Sequence, residues 1–164
     1  MAVRWHRSRW TQAGSSIGEV ALVLAIVGIL SALATPLFLS FYQASKLRVG
    51  AAELAAFLNQ GRQLAIRSND NVCVHITPTA MHYHLGSCAG AVWTGPGTDA
   101  AGNLKTPDGV TLTATADPIF SYLGAAAPAA TYTVTNTQNA ATLKLCVAAS
   151  GRIRIPDPSI DPCP

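Results

Sequence analysis

The sequence predicts an α+β protein in which one long N-terminal helix, half membrane-spanning and half amphipathic, packs on an antiparallel β head. Three observations carry this. From Val20 to Ser45 there is no charged residue; the next turns repeat small apolar residues at helical spacing; and from Val72 onward the chain breaks into short β-like runs separated by Gly, Pro, Ala and Asn.

The N-terminal stretch Gly14–Pro36 reads GSSIGEVALVLAIVGILSALATP and follows a leader that carries Arg4, Arg7 and Arg9. At about 1.5 Å per residue, the roughly 20 residues needed to cross a bilayer fit within the uncharged run. The run exceeds the 7–15 residues of a cleaved secretory h-region, which argues against that alternative. The basic leader is expected to stay cytoplasmic, so everything after Pro36 lies outside. Glu19, at the head of the span, costs about 2.5–3.5 kcal/mol in hydrocarbon unless something neutralises it. A signal anchor with Glu19 at headgroup level is the plain alternative to a partner supplied by assembly.

Pro36 removes a backbone donor, so the helix is expected to continue there kinked or loosened. Beyond it Leu47, Ala51, Leu54, Leu58, Gly61 and Ala65 recur at three- and four-residue steps. Lys46, Arg48, Glu53, Gln60, Arg62 and Arg67 fall largely off that face. One amphipathic helix therefore extends to about Arg67, its small apolar face suited to close packing on a sheet. Ser68, Asn69, Asp70 and Asn71 then supply turn chemistry.

A hairpin of Val72–Ile76 and Met81–Leu85 around Thr77–Ala80 places Ile76 opposite Met81 and Val74 opposite Tyr83. Alternation puts Val72, Val74, Ile76, Met81, Tyr83 and Leu85 toward the helix. Cys73, His75, His82 and His84 fall on the other, solvent face. Imidazole and thiolate ligands on one hairpin face are a chemistry that binds zinc. The stronger reading ties Cys73 into a disulfide and leaves the histidines solvated, so the sequence assigns no metal and no cofactor.

Residues 87–109 read as a long loop anchored by Val92 and Trp93, with room for one short strand. The β-like runs Val110–Ala114, Ile119–Leu123, Thr131–Thr135, Thr142–Val147 and Arg152–Ile155 follow. Gly124–Ala130, with Pro128, reads as a loop or a helical turn. Cys73, Cys88, Cys146 and Cys163 all lie on the exported side, where disulfides persist. Three pairings are possible; Cys73 with Cys88 and Cys146 with Cys163 are taken on proximity in the chain alone.

The chain has eleven Lys and Arg against eight Asp and Glu, and three of the basic residues precede Gly14. Removing that leader leaves eight against eight, so nucleic-acid binding would need a local patch rather than net charge. Arg152 and Arg154, two apart on an extended strand after Gly151, are such a patch, with Asp157 and Asp161 close behind. No nucleophile elbow, phosphate-binding glycine loop or paired-carboxylate site is present, so the chain is not expected to be an enzyme or to take a small-molecule substrate.

The register of Gly14, Ser15, Glu19 and Pro36 resembles type IV prepilins and type II secretion pseudopilins, whose basic leader ends in glycine before Phe-Thr-Leu-Ile-Glu, an apolar helix and a proline. Ser15, Ser16 and Gly18 depart from that pattern. The resemblance implies cleavage by a prepilin peptidase after Gly14, N-methylation of Ser15, and filament assembly through Glu19 and Pro36. A freed Ser15 ammonium in a neighbouring subunit is then a natural partner for Glu19, each charge neutralising the other inside the apolar core. AAELAAFLNQGRQLAIRSNDNVCVHI, VWTGP, IFSYLGA and CVAASGRIRI are similar to the GspH/FimT branch, which implies a pilin-like fold and a minor pilin or pseudopilin working with other pilins or pseudopilins. In FimT-like minor pilins a Gly-Arg-x-Arg tail is associated with capturing DNA for uptake, and Gly151-Arg152-Ile153-Arg154 is similar to it. The implied organisation is a leader over 1–14, a transmembrane helix half over 15–41 and a periplasmic or extracellular head over 42–164, held in the bacterial inner membrane and incorporated into a pilus or pseudopilus.

Overall fold

The computed structural model describes residues 16–78, 80–156 and 163. Gly14 and Ser15, the expected processing junction, and Asp157 and Asp161 lie outside the described residues. The chain divides into two compact units, one ending at Ser40 and one beginning at Phe41.

A single helix, α1 (Ile17–Ser68), belongs to both. Ser16 caps it: its hydroxyl accepts from the Gly18 N–H at 3.3 Å, and its carbonyl accepts from Glu19 at 2.9 Å. Glu19 thus sits in the first turn, where its charge suits the helix dipole. The backbone stays helical through Pro36. In the first unit the apolar side chains stand exposed, Leu22 at 63% and Leu33 at 67%. By length and composition the helix is long and apolar enough to cross a membrane.

In the second unit Leu47, Ala51, Leu54, Leu58, Gly61 and Ala65 are all buried, as the spacing predicts. Phe57, off that predicted stripe, is buried as well. The helix ends where Asn69 turns to φ +52° and the Asp70 N–H reaches back to the Ala65 carbonyl at 3.2 Å. That is the backbone reversal a left-handed residue makes possible.

Nine short strands follow among the described residues: β1 (Val72–Ile76), β2 (Ala80–Leu85), β3 (Leu104–Lys105), β4 (Val110–Ala114), β5 (Ile119–Phe120), β6 (Ala126–Ala127), β7 (Ala130–Asn136), β8 (Thr142–Val147) and β9 (Ile153–Arg154). They form two antiparallel sheets of order β3-β2-β1-β5-β6 and β4-β7-β8-β9. The first hairpin has the predicted register, Ile76 opposite Met81 and Val74 opposite Tyr83. Its turn closes through Thr77, whose N–H and hydroxyl both donate to the Ala80 carbonyl at 2.8 Å.

Three expectations change. The strand read over Ile119–Leu123 stops at Phe120, because Ser121–Ala125 is a tight turn with Gly124 at φ +80°. Its tip holds Tyr122 and Leu123 at 51% and 76% exposure. The stretch read as loop or helical turn over Gly124–Ala130 contains β6, paired with β5. The last strand, read over Arg152–Ile155, is reduced to Ile153–Arg154.

The core lies between α1 and the two sheets. Gly61 lets the helix approach β1 and β2, since a Cβ there would meet Val74 Cγ2 at 2.7 Å and Tyr83 Cε1 at 3.0 Å. Tyr83 stacks on Phe57 at 4.3 Å between ring centroids and donates its hydroxyl to the Phe57 carbonyl at 2.8 Å. Full burial of its ring stabilises the fold, while the hydrogen bond offsets the cost of taking the hydroxyl out of water.

Candidate functional site

Three groups of residues are singled out by the sequence, and the structure treats them differently. At the head of α1, Glu19 is exposed and stands in the first helical turn, directly behind the Ser16 cap. Ser16 is a residue the sequence comparison marks only as a departure; its S-x-x-E spacing to Glu19 is the signal for a helix start.

The second group is the C-terminal hairpin. Cys146 and Cys163 form a disulfide with a Cα–Cα distance of 5.6 Å, and Cys73 and Cys88 another at 5.0 Å. Between β8 and β9 the chain reverses through Ala148–Arg152. The Gly151 N–H donates to the Ala148 carbonyl at 2.8 Å, and the Ala148 N–H donates to the Arg152 carbonyl at 2.9 Å. Gly151 stands at φ +75°. A three-residue loop closing on a left-handed glycine is a preferred hairpin geometry, so the turn itself requires Gly151. A side chain there would also run into the Gly124 carbonyl oxygen.

That carbonyl has a partner. Arg62 on α1 donates its Nε to Gly124 O at 2.9 Å, and the guanidinium lies against both glycine turns. Arg62, read from the sequence only as an off-face polar residue, ties the helix to the point where the two hairpins meet.

Ile153 packs against the core, which turns Arg152 and Arg154 to the outer face of the second sheet. Cys146 pairs with Arg154, and Lys144, two residues earlier on β8, alternates onto that same outer face. Arg152 and Lys144 are exposed and Arg154 half-buried. Thr131, Thr133 and Thr135 of β7 continue this face, with Thr133 opposite Lys144. Lys144 escaped the sequence reading because its membership depends on the β8–β9 register.

The third group is the histidine face of the first hairpin. It is not a solvent face. Cys73 is fully buried in its disulfide, and His75, His82 and His84 are half-buried. The Asp117 carboxylate accepts from His75 Nδ1 at 2.7 Å, and the Gly90 carbonyl accepts from His84 Nδ1 at 3.0 Å. Both covering residues come from connections read only as loop. His82 has its Nδ1 buried with no hydrogen-bond partner among the described residues. Burial, with the neighbouring His84 and His75, holds the His82 imidazole below its usual pKa against a smaller opposing pull from Asp99.

The fold so assembled, one long N-terminal helix against two antiparallel sheets, is pilin-like. Among solved structures, the chain is similar to the type IV minor pilin FimU of Pseudomonas aeruginosa strain PAO1, at 17% identity and TM-score 0.55, over 74% of this chain and 96% of that one. It is also similar to the minor pseudopilin EpsH from the type 2 secretion system of Vibrio cholerae, at 11% identity and TM-score 0.53, over 69% of this chain and 98% of that one. At these identities the likeness is one of fold. No protein-family model and no curated protein matches the sequence.

Proposed function

We propose that this protein is a minor pilin or pseudopilin, a structural or priming subunit of a type IV pilus or type II secretion pseudopilus. The observation that carries the proposal is the continuous helix Ile17–Ser68, apolar and exposed up to Ser40 and packed against a pilin-like head from Leu47. An exposed apolar helix of that length belongs in a bilayer or among other such helices. In this reading the chain is anchored once in the inner membrane with its head in the periplasm. A prepilin peptidase removes residues 1–14, Ser15 is methylated, and Glu19 pairs with the Ser15 amine of a neighbouring subunit during assembly with other pilins. The protein is a substrate of processing rather than a catalyst.

Co-expression with a prepilin peptidase tests the first step. Intact mass should show loss of residues 1–14 and one added methyl group; a chain that keeps its leader would refute the reading. In a pilus- or pseudopilus-forming host, Glu19→Ala should be processed yet be missing from sheared filaments.

A second reading, DNA capture during uptake, is favoured by one observation: Lys144 shares the outer face with Arg152 and Arg154. Three cations on one sheet face suit successive phosphates. Gel mobility shifts of the full-length protein in detergent test it. Each of Lys144→Ala, Arg152→Ala and Arg154→Ala should weaken binding and lower the salt slope by about 1. Absent binding, or binding that all three substitutions leave unchanged, would eliminate this reading.

A further inference from the structure

We propose that His75, His82 and His84 form a binding site for one divalent transition-metal ion of the zinc type. The chain has four histidines, and three of them meet on one face of the β1–β2 hairpin. Their ring centroids form a nearly equilateral triangle, with His75 to His82 at 6.3 Å, His75 to His84 at 6.2 Å and His82 to His84 at 6.1 Å. The backbone accounts for the spacing: His75 is directly opposite His82, and His84 follows two residues later on the same face.

The outer hydrogen bonds determine which nitrogen each ring presents. A carboxylate and a backbone carbonyl can only accept, so His75 and His84 carry their protons on Nδ1. In the neutral rings the lone pair is therefore on Nε2. Metal-bound histidines are held in this way, the second nitrogen donating to a carboxylate or a backbone carbonyl. His82 supplies the third ring, and its buried Nδ1 has no hydrogen-bond partner among the described residues. An unpaired buried imidazole nitrogen costs stability, and an ion drawn to the triangle lets this third ring ligate beside the other two. The remaining residue of the sequence pattern, Cys73, is excluded as a ligand by its bond to Cys88.

Among the described residues, no three His, Cys, Asp or Glu side chains already stand close enough to share an ion. With metal–nitrogen distances of about 2.0–2.1 Å, three imidazoles on a tetrahedral ion place their centroids roughly 5 Å apart. Closing the triangle takes about 1 Å of side-chain movement, within what rotamer adjustments on a hairpin supply. His75 is 40% exposed at its side chain, so an ion can enter from solvent. Three neutral nitrogens suit Zn²⁺, with Co²⁺ as a spectroscopic substitute, and leave a fourth position for water or an acidic group.

The test uses full-length, tag-free protein in detergent, stripped of metal with its disulfides intact. Titration with zinc chloride against a chromophoric chelator should show one equivalent bound at micromolar or tighter Kd. Cobalt should give the visible absorption of a tetrahedral nitrogen-ligated ion, and histidine ring-nitrogen NMR should show three imidazoles shifting together. Asp117→Asn should weaken zinc binding about 10–100-fold by loosening His75, while His75→Gln, His82→Gln and His84→Gln each weaken it more. No binding up to millimolar zinc, or saturable binding that leaves these three imidazole signals unmoved, would overturn the proposal. The NMR readout is made on the unsubstituted chain, so it holds even if a variant fails to fold.

Discussion

Replacing Gly61 by alanine sets two known effects against each other. Within a helix, Gly→Ala is ordinarily favourable by about 1 kcal/mol, because it restricts the unfolded chain. Here the added methyl would lie 2.7 Å from Val74 Cγ2 and 3.0 and 3.3 Å from Tyr83 Cε1 and Cδ1. Neither neighbour can give way cheaply. Val74 is a stiff β-branched side chain, fully buried in β1, and the Tyr83 ring is held by its stack on Phe57 and its hydroxyl bond to the Phe57 carbonyl. Overpacking of this kind costs about 1–3 kcal/mol, and pinned neighbours place it in the upper half of that range. The net expectation for Gly61→Ala is a loss of about 1–2 kcal/mol, despite the gain in helix propensity. Urea unfolding of the full-length protein in detergent, with disulfides oxidised, measures it from the shift in midpoint at constant slope. Ala56→Gly, at an exposed position on the same helix, calibrates the propensity effect at about 1 kcal/mol. If Gly61→Ala is as stable as the parent or more so, α1 does not approach the hairpin as closely as described.

Two tyrosines should respond differently in the same assay. Tyr83→Phe removes a buried hydrogen bond and should cost about 1 kcal/mol, whereas Tyr132→Phe removes a buried hydroxyl with no partner among the described residues and should be neutral or stabilising by up to about 1 kcal/mol. Cys73 and Cys88 are 15 residues apart, so replacing both with serine should destabilise by about 3 kcal/mol on the loop-entropy account, seen as a lower urea midpoint than the parent's. Gly151→Ala should cost more than the about 1–2 kcal/mol of a left-handed backbone alone, because the Gly124 carbonyl occupies the space its methyl needs; unfolding midpoints near the parent's would contradict the turn geometry.

What the sequence reveals of this fold is what local periodicity encodes. The buried stripe from Leu47 to Ala65 follows from helical spacing, and the pairing of Val74 with Tyr83 follows from strand alternation about a short turn. Phe57 was missed because its burial comes from the ring stack on Tyr83 of β2 rather than from the spacing of the stripe. Tyr122 and Leu123 read as strand because they are apolar, yet they occupy an exposed turn tip that Gly124 makes possible. The hairpin face carrying the histidines looked solvated because its cover comes from elsewhere in the chain. Asp117 lies 42 residues from His75, and no local pattern announces such a contact.

The same distinction bears on how the Gly-Arg-Ile-Arg segment is read. As a motif, its glycine and its two arginines look like one functional unit. In the structure they separate into different physical roles. Gly151 is required by a hairpin turn of the same form as Ser121–Ala125, and the two turns meet where Arg62 from α1 grips the Gly124 carbonyl. The glycine therefore answers to the joint between helix and sheets, whatever the arginines bind. Arg152 and Arg154 answer instead to alternation on either side of Ile153, which turns them to the outer face with Lys144. A substitution at Gly151 that abolished an activity would report a damaged joint. Lys144 and Arg152 are exposed and stand apart from the Arg62–Gly124 contact, so the evidence for or against a phosphate-binding face comes first from them.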